Sequence, residues 1–140
     1  MALMLDTSAV IGWSERNDAG VRAAVQAANE IPNISVITLG ELHAGVAHAV
    51  KADDQLRVDV RTRTLTLAQS LGVSYITPEV TECFGALSAE LTRRIAANDR
   101  WIAATAIVNG AALVTQDASL LKLNELTLRW AALEVIYCGQ

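Results

Sequence analysis

Two cysteines, two histidines, two prolines and six aromatic residues (three Trp, two Tyr, one Phe) are all that this 140-residue chain holds of those types. Each scarcity removes a class of function. Cys83 and Cys138 are too few for a disulfide scaffold or a thiolate metal site, and are read as small buried hydrophobes of a reducing compartment. His43 and His48 lie five apart with no His-Glu-x-x-His between them, which excludes the helix-borne zinc hydrolase pattern. Neither a Gly-x-x-x-x-Gly-Lys loop nor a Gly-x-Gly-x-x-Gly turn is present, so those nucleotide-binding modes have no support. No apolar run reaches membrane-spanning length: Ala103–Val108 is broken by Asn109 and Gly110, and Gln116-Asp117 closes the next run. Met1–Leu5 has no basic flank and ends at Asp6, so no secretory leader is expected and the protein is predicted to be cytoplasmic, without a membrane. With no repeat, low-complexity tract or Gly/Ser linker, residues 1–140 are expected to form a single domain.

What the chain does have is apolar content: 52% hydrophobic against 19% charged residues, enough for a packed globule. Short β-like runs alternate with helical stretches, the pattern of an α/β fold with helices on both faces of a mostly parallel sheet of four or five strands. Strands are expected at Ala2–Leu5, Ile34–Ile37, Val73–Ile76, Ala112–Thr115 and Glu134–Tyr137. Helical segments are expected around Ser8–Ser14 and from Asp18 to Glu30, stopped by Pro32. A third is capped by Thr38 and carries Leu39, Leu42, Val46 and Val50 on one stripe. A fourth runs from Asp54 to Leu71 with Gly72 as its terminating glycine. Thr77-Pro78 opens a fifth that reaches Arg94, and Asn98-Asp99 begin a sixth, Arg100–Asn109, stopped by Gly110.

Ligands of open parallel sheets bind beyond the carboxyl ends of the strands. Four acids fall there: Asp6 after the first strand, Glu41 in the first turn of the helix after the second, Asp99 at the start of the helix leading into the fourth, and Asp117 just after the fourth. Singly, each has a structural explanation. Asp99 and Glu41 suit a helix N-terminus, Thr38-Leu-Gly-Glu41 has capping-box spacing, and Asp6 or Asp117 can cap the segment behind it. Jointly, four converging carboxylates repel one another, and a bound divalent cation relieves that repulsion. All-oxygen ligands suit Mg²⁺ or Mn²⁺, and metal-assisted phosphodiester hydrolysis fits the inventory. The net charge of −4 argues against a polyanionic partner only until these four are set aside, since −4 + 4 leaves a neutral remainder. The bases also cluster, Arg57, Arg61 and Arg63 in one stretch and Arg93, Arg94 and Arg100 in another. A solvated helix face explains such runs as well as a phosphate contact does.

Four segments together resemble the PIN-domain family: Leu5-Asp6-Thr7-Ser8-Ala9, Leu39-Gly40-Glu41-Leu42, Asn98-Asp99-Arg100-Trp101-Ile102-Ala103-Ala104-Thr105-Ala106 and Leu113-Val114-Thr115-Gln116-Asp117. Their order and spacing look most like the VapC-type toxins of toxin–antitoxin pairs, and the resemblance runs from Leu3 to about Ile136. It implies a PIN-like three-layer sandwich, an endoribonuclease with a Mg²⁺ or Mn²⁺ centre, a homodimer, and silencing by a cognate antitoxin. By position, Asp6, Glu41, Asp99 and Asp117 match the family's catalytic and metal-holding acids. Ser8 and Thr115 match supporting hydroxyls, and Arg93, Arg94 and Arg100 are the implied RNA contacts. The chain departs from many relatives in having Thr92 and Arg94 where they have Gly and Pro, and the fourth acid varies among them, so Asp117 either holds metal or orients a metal-bound water.

The implied mechanism is hydrolytic: no His or Lys stands in these motifs as a general base, so water activated by metal is the expected nucleophile. The alternative from another class is a PIN-like module that only binds RNA or a protein. A third reading is a metal-dependent phosphatase of another α/β family, and the lack of a second Asp two residues after Asp6 speaks against it. Trp13, Trp101 and Trp130 suit either base stacking or packing, and the apolar helices around Val21–Ala28 and Leu39–Val50 suit either the core or an interface.

Overall fold

The computed structural model describes residues 2–91 and 95–139. Five strands, β1 (Leu3–Leu5), β2 (Asn33–Ser35), β3 (Gly72–Ser74), β4 (Ala112–Thr115) and β5 (Val135–Tyr137), form one sheet in the order β3-β2-β1-β4-β5. Every pairing is parallel. Six helices connect them: α1 (Thr7–Arg16), α2 (Ala19–Ala28), α3 (Val36–Lys51), α4 (Gln55–Gln69), α5 (Pro78–Glu90) and α6 (Ala97–Val108). The chain winds outward from β1 to β3, then returns to lay β4 on the other side of β1. That reversal opens a crevice beyond the carboxyl ends of β1 and β4, where such sheets bind ligands.

The central strands β1 and β4 are buried on both faces, and their alternation divides the core in two. Met4 and Leu113 pack with Val80, Cys83, Leu87, Ile102 and Leu120. Leu3, Leu5 and Val114 face the other way, onto Ala9, Val10, Val21, Ile34 and Leu42. The result is the expected three-layer sandwich, with α5 and α6 on one face and α1 to α4 on the other. Among the described residues no helix is long and apolar enough to cross a membrane.

Several boundaries differ from expectation. The β-branched run Ile34-Ser-Val-Ile37 reads as strand, but pairing ends at Ser35, whose hydroxyl accepts the Ile37 N–H at 3.1 Å and starts α3 there. Thr38 is therefore not a cap but a fully buried residue inside the helix, and Glu41 is its sixth residue, in the second turn; no capping box forms. The apolar stripe of α3 also turns: Ala49 is buried and Val50 is 59% exposed. Gly72 does not end α4, which finishes at Gln69; it opens β3, where the Asn33 side chain occupies the space a Cβ would take. Helix α2 stops two residues early, at Ala28, with Asn29 left-handed (φ 52°). Helix α5 ends at Glu90 rather than Arg94, and β3 at Ser74 rather than Ile76. Residues Ala118–Glu125 form an unexpected 3-10 stretch that buries Leu120 and Leu123.

Gly110 ends α6 as expected, with a left-handed φ of 65° and open space around it. An L residue there is strained by backbone alone, so Gly110→Ala is expected to cost about 1 kcal/mol. Gly85 is exposed within α5 and also has nothing near its Cβ position, so Gly85→Ala is expected to add about 0.5 kcal/mol. Urea unfolding of the two variants tests both signs, and a stabilising Gly110→Ala would contradict the backbone argument.

Candidate active site

Asp6 leaves β1 at the crevice and is only 2% exposed. Its main-chain N–H donates to Val114 O at 3.0 Å, which prolongs the β1–β4 pairing by one residue. Its Oδ1 accepts the Ala9 N–H at 2.8 Å and the Ser8 hydroxyl at 2.7 Å; Oδ2 accepts the Thr115 hydroxyl at 2.5 Å. One side chain thus caps α1 and fills the crevice floor. Burial pushes its pKa above the ordinary carboxylate value, while these hydrogen bonds pull the other way. The two hydroxyls are themselves held, Ser8 Oγ by the Gln116 N–H and Thr115 Oγ1 by the Asp117 N–H, each at 3.0 Å. Each passes a main-chain amide's polarity to Asp6.

Glu41 reaches the crevice from α3, and Thr7 Oγ1 donates to its Oε1 at 2.6 Å. Asp117 is exposed beyond β4, its Oδ1 accepting the Ser119 N–H at 2.9 Å to start the 3-10 stretch. Asp99 lies in the first turn of α6, a helix whose N-cap Ala96 offers no side chain to its amides. The helix dipole favours an acid there. Burial, and then the charges of Asp6, Glu41 and Asp117 in that order, push the Asp99 pKa up to about 6. All four expected acids therefore share one electrostatic field. Among the described residues none of the four is in an ion pair; the pairs found are Arg57–Asp54, Arg61–Glu15 and Arg129–Glu82.

The donor chemistry fits a hard divalent cation, since carboxylate oxygens converge with neither thiolate nor imidazole. Among the described residues, however, no three acidic, His or Cys side chains stand close enough to enclose an ion directly. Asp6 explains part of this, because both of its oxygens are turned to protein donors. Mg²⁺ commonly keeps several waters and takes only one or two carboxylates, which suits so open an arrangement.

The expected arginines divide. Arg100 packs between α5 and α6, its guanidinium 5.3 Å from the Phe84 ring centre and its Nη1 3.1 Å from Ser88 Oγ, with Nε buried and unpartnered. Arg93 and Arg94 lie outside the described residues. Trp101 stacks on Phe84 at 3.7 Å, Trp13 packs at the edge of the core, and Trp130 donates to Glu79 beneath Arg129. His43 and His48 are exposed on α3. Sequence reasoning missed two groups. Thr7 stands beside Asp6 but serves Glu41, which only the packing of α1 on α3 reveals. The Gln116 side chain lies across Gly12, where a Cβ would collide with it, and joins Arg16 of α1 to the Cys138 carbonyl beyond β5.

A parallel sheet with carboxylates gathered at its switch point, none of them ion-paired among the described residues, places the chain among α/β proteins built around an acidic centre. The PIN-domain model matches residues 3–126, and the chain belongs to the PIN-domain family. It is 40% identical over 87 residues to Ribonuclease VapC4 of Mycobacterium tuberculosis (strain ATCC 25618 / H37Rv), a match covering 60% of this chain and 65% of that one. The matched stretch thus spans just under two thirds of that relative's length. Its fold is similar to VapBC-5 of Mycobacterium tuberculosis, a member of the VapBC family of toxin-antitoxin systems (TM-score 0.71, 27% identity, 97% of this chain and 98% of that chain). It is also similar to VapBC2 of Rickettsia felis, solved bound to a DNA fragment from its promoter (TM-score 0.74, 26% identity, 96% and 97%).

The crowding of acids has a pH signature. In metal-free protein Asp99 binds its proton up to about pH 6, against about 3.9 in the unfolded chain. Its contribution to stability is fully present below about pH 4 and lost as pH rises through about 6. Asp99→Asn removes that loss, worth on the order of 1 kcal/mol once solvent screening is allowed for. In EDTA, the Tm of Asp99→Asn minus that of the unmodified chain should grow from near zero at about pH 4.5 to about 3 °C at about pH 7.5. A difference that stays flat over that range would mean Asp99 does not feel the other acids.

Proposed function

We propose that this chain is a divalent-metal-dependent endoribonuclease and the toxin of a toxin–antitoxin pair, built as one catalytic domain. The observation that carries the reading is the convergence of Asp6, Glu41, Asp99 and Asp117 on the crevice with no ion pair to any of them among the described residues. The likeness to a named ribonuclease and to VapBC assemblies supports the substrate class and the antitoxin partner. Homodimerisation is implied by the same resemblance.

Glu41 and Asp99 are the acids free to hold Mg²⁺ or Mn²⁺, with Asp6 fixing the floor between them and Asp117 at the rim. A bound cation supplies Lewis acidity at the scissile phosphate and lowers the pKa of water to near neutrality. The protein's own part is orientation. Ser8, Thr115 and the Ala9 amide hold Asp6 rigid, Thr7 holds Glu41, and the α6 N-terminus holds Asp99 against its own repulsion. The acids also keep the field negative where RNA must bring phosphate, so RNA is drawn to this crevice only in company with a cation.

Purified protein is expected to cut total cellular RNA into discrete fragments with Mg²⁺ or Mn²⁺ and to stop in EDTA. Asp6→Asn and Asp99→Asn should each lower cleavage at least about 100-fold while keeping the fold by circular dichroism. Near-full activity in folded Asp6→Asn sinks this mechanism, and intact RNA under every condition favours a PIN-like module that binds without cutting.

A further inference from the structure

Glu41 is oriented from outside its own helix. Thr7, the first residue of α1, donates its one hydroxyl proton to Glu41 Oε1 at 2.6 Å. Its oxygen also lies 3.1 Å from the hydroxyl of Thr38. A hydroxyl carries a single proton, and a carboxylate is a stronger acceptor than another hydroxyl. Thr7 is placed as donor to both oxygens, and its single proton goes to Glu41, the nearer and stronger acceptor, with the Thr38 hydroxyl as the weaker competitor. Thr38 is fully buried one turn before Glu41 on α3, so its hydroxyl has no water to bond to and its rotamer is fixed by packing.

We infer that Thr7 is a positioning residue that holds one Glu41 oxygen and leaves the other, Oε2, free to take a divalent cation. Among the described residues Oε2 accepts no hydrogen bond. A glutamate has three side-chain torsions, and an unrestrained one must give up that freedom each time a cation binds. Thr7 removes the freedom beforehand and adds no positive charge that would weaken cation binding. Because Thr7 follows Asp6 directly, it also ties the α3 acid to the α1 end of the crevice, so the two carboxylates keep a common frame.

This inference rests on the metal-dependent reading, and the test separates the two. Isothermal titration of RNA-free protein with Mn²⁺ reads the effect without any cleavage assay. Thr7→Val keeps the branched shape and loses the proton; it is expected to weaken Mn²⁺ binding about tenfold, in the range found when groups that orient metal ligands are removed. Thr7→Ser is expected to return affinity to within about twofold. In a Glu41→Ala background Thr7→Val should change nothing further, which a general loss of packing would not reproduce. Wild-type Mn²⁺ affinity in folded Thr7→Val, failure of Thr7→Ser to rescue, or full additivity with Glu41→Ala overturns the inference. If Thr7→Val does not fold, Thr7→Ala decides by the same titration, and unchanged affinity there is equally fatal. Asp99→Asn is the separate arm. Unchanged Mn²⁺ binding in that variant removes the metal-dependent reading itself, whereas lost binding there beside normal binding in Thr7→Val removes only the role of Thr7.

Discussion

The arrangement of this protein depends on one buried carboxylate. Asp6 sits at the end of the central strand with 2% of its surface exposed, and a charge so placed is tolerated only when its oxygens are bonded. Three donors meet that need: the Ala9 amide, the Ser8 hydroxyl and the Thr115 hydroxyl. The first makes Asp6 the cap of α1, so the helix cannot leave the strand in any other direction. The third reaches across the reversal of strand order and fixes where β4 ends. Ser8 and Thr115 are fixed in turn by the amides of Gln116 and Asp117. The crevice is thus rigid because the ends of its two strands and one helix all answer to the same two oxygens.

The crevice stays negative because no ion pair among the described residues reaches it; the three that form among them join Asp54 to Arg57, Glu15 to Arg61 and Glu82 to Arg129. At the crevice, among the described residues, every donor to the four acids is a hydroxyl or a main-chain amide. The consequence appears at Asp99, whose pKa is driven up to about 6 by burial and by its three neighbours. Self-repulsion of this kind makes the metal-free site unfavourable, and anything that binds the folded state and relieves it stabilises the fold by linkage.

Much of this was legible in the residues. The alternation of apolar runs and helices predicted the layers, and the rule that ligands gather at strand ends picked out Asp6, Glu41, Asp99 and Asp117 without any knowledge of packing. Errors arose where two local signals competed. Ser35 and Thr38 are both good caps, and the β-branched Val36 and Ile37 between them favour strand; pairing with β1 stops earlier, so the helix takes those residues and Thr38 goes inside. Gly72 has the look of a helix terminator, yet its lack of a side chain serves Asn33 instead. The role of Thr7 could not be read at all, since a hydroxyl just after an acid looks like capping and its partner is 34 residues away.

The choice of donors at the crevice follows from the same physics. An arginine beside Asp6 would satisfy the buried oxygens with stronger, charge-assisted bonds than a hydroxyl makes. It would also cancel the negative field that draws a cation, and would place a fixed charge where the ion belongs. Threonine and serine orient a carboxylate while leaving its charge intact, and they are short enough to be locked by the helix turn that carries them. Ser8, Thr115 and Thr7 are thus the neutral frame of an anionic site: they hold Asp6 and Glu41 still and leave their negative charge undiminished.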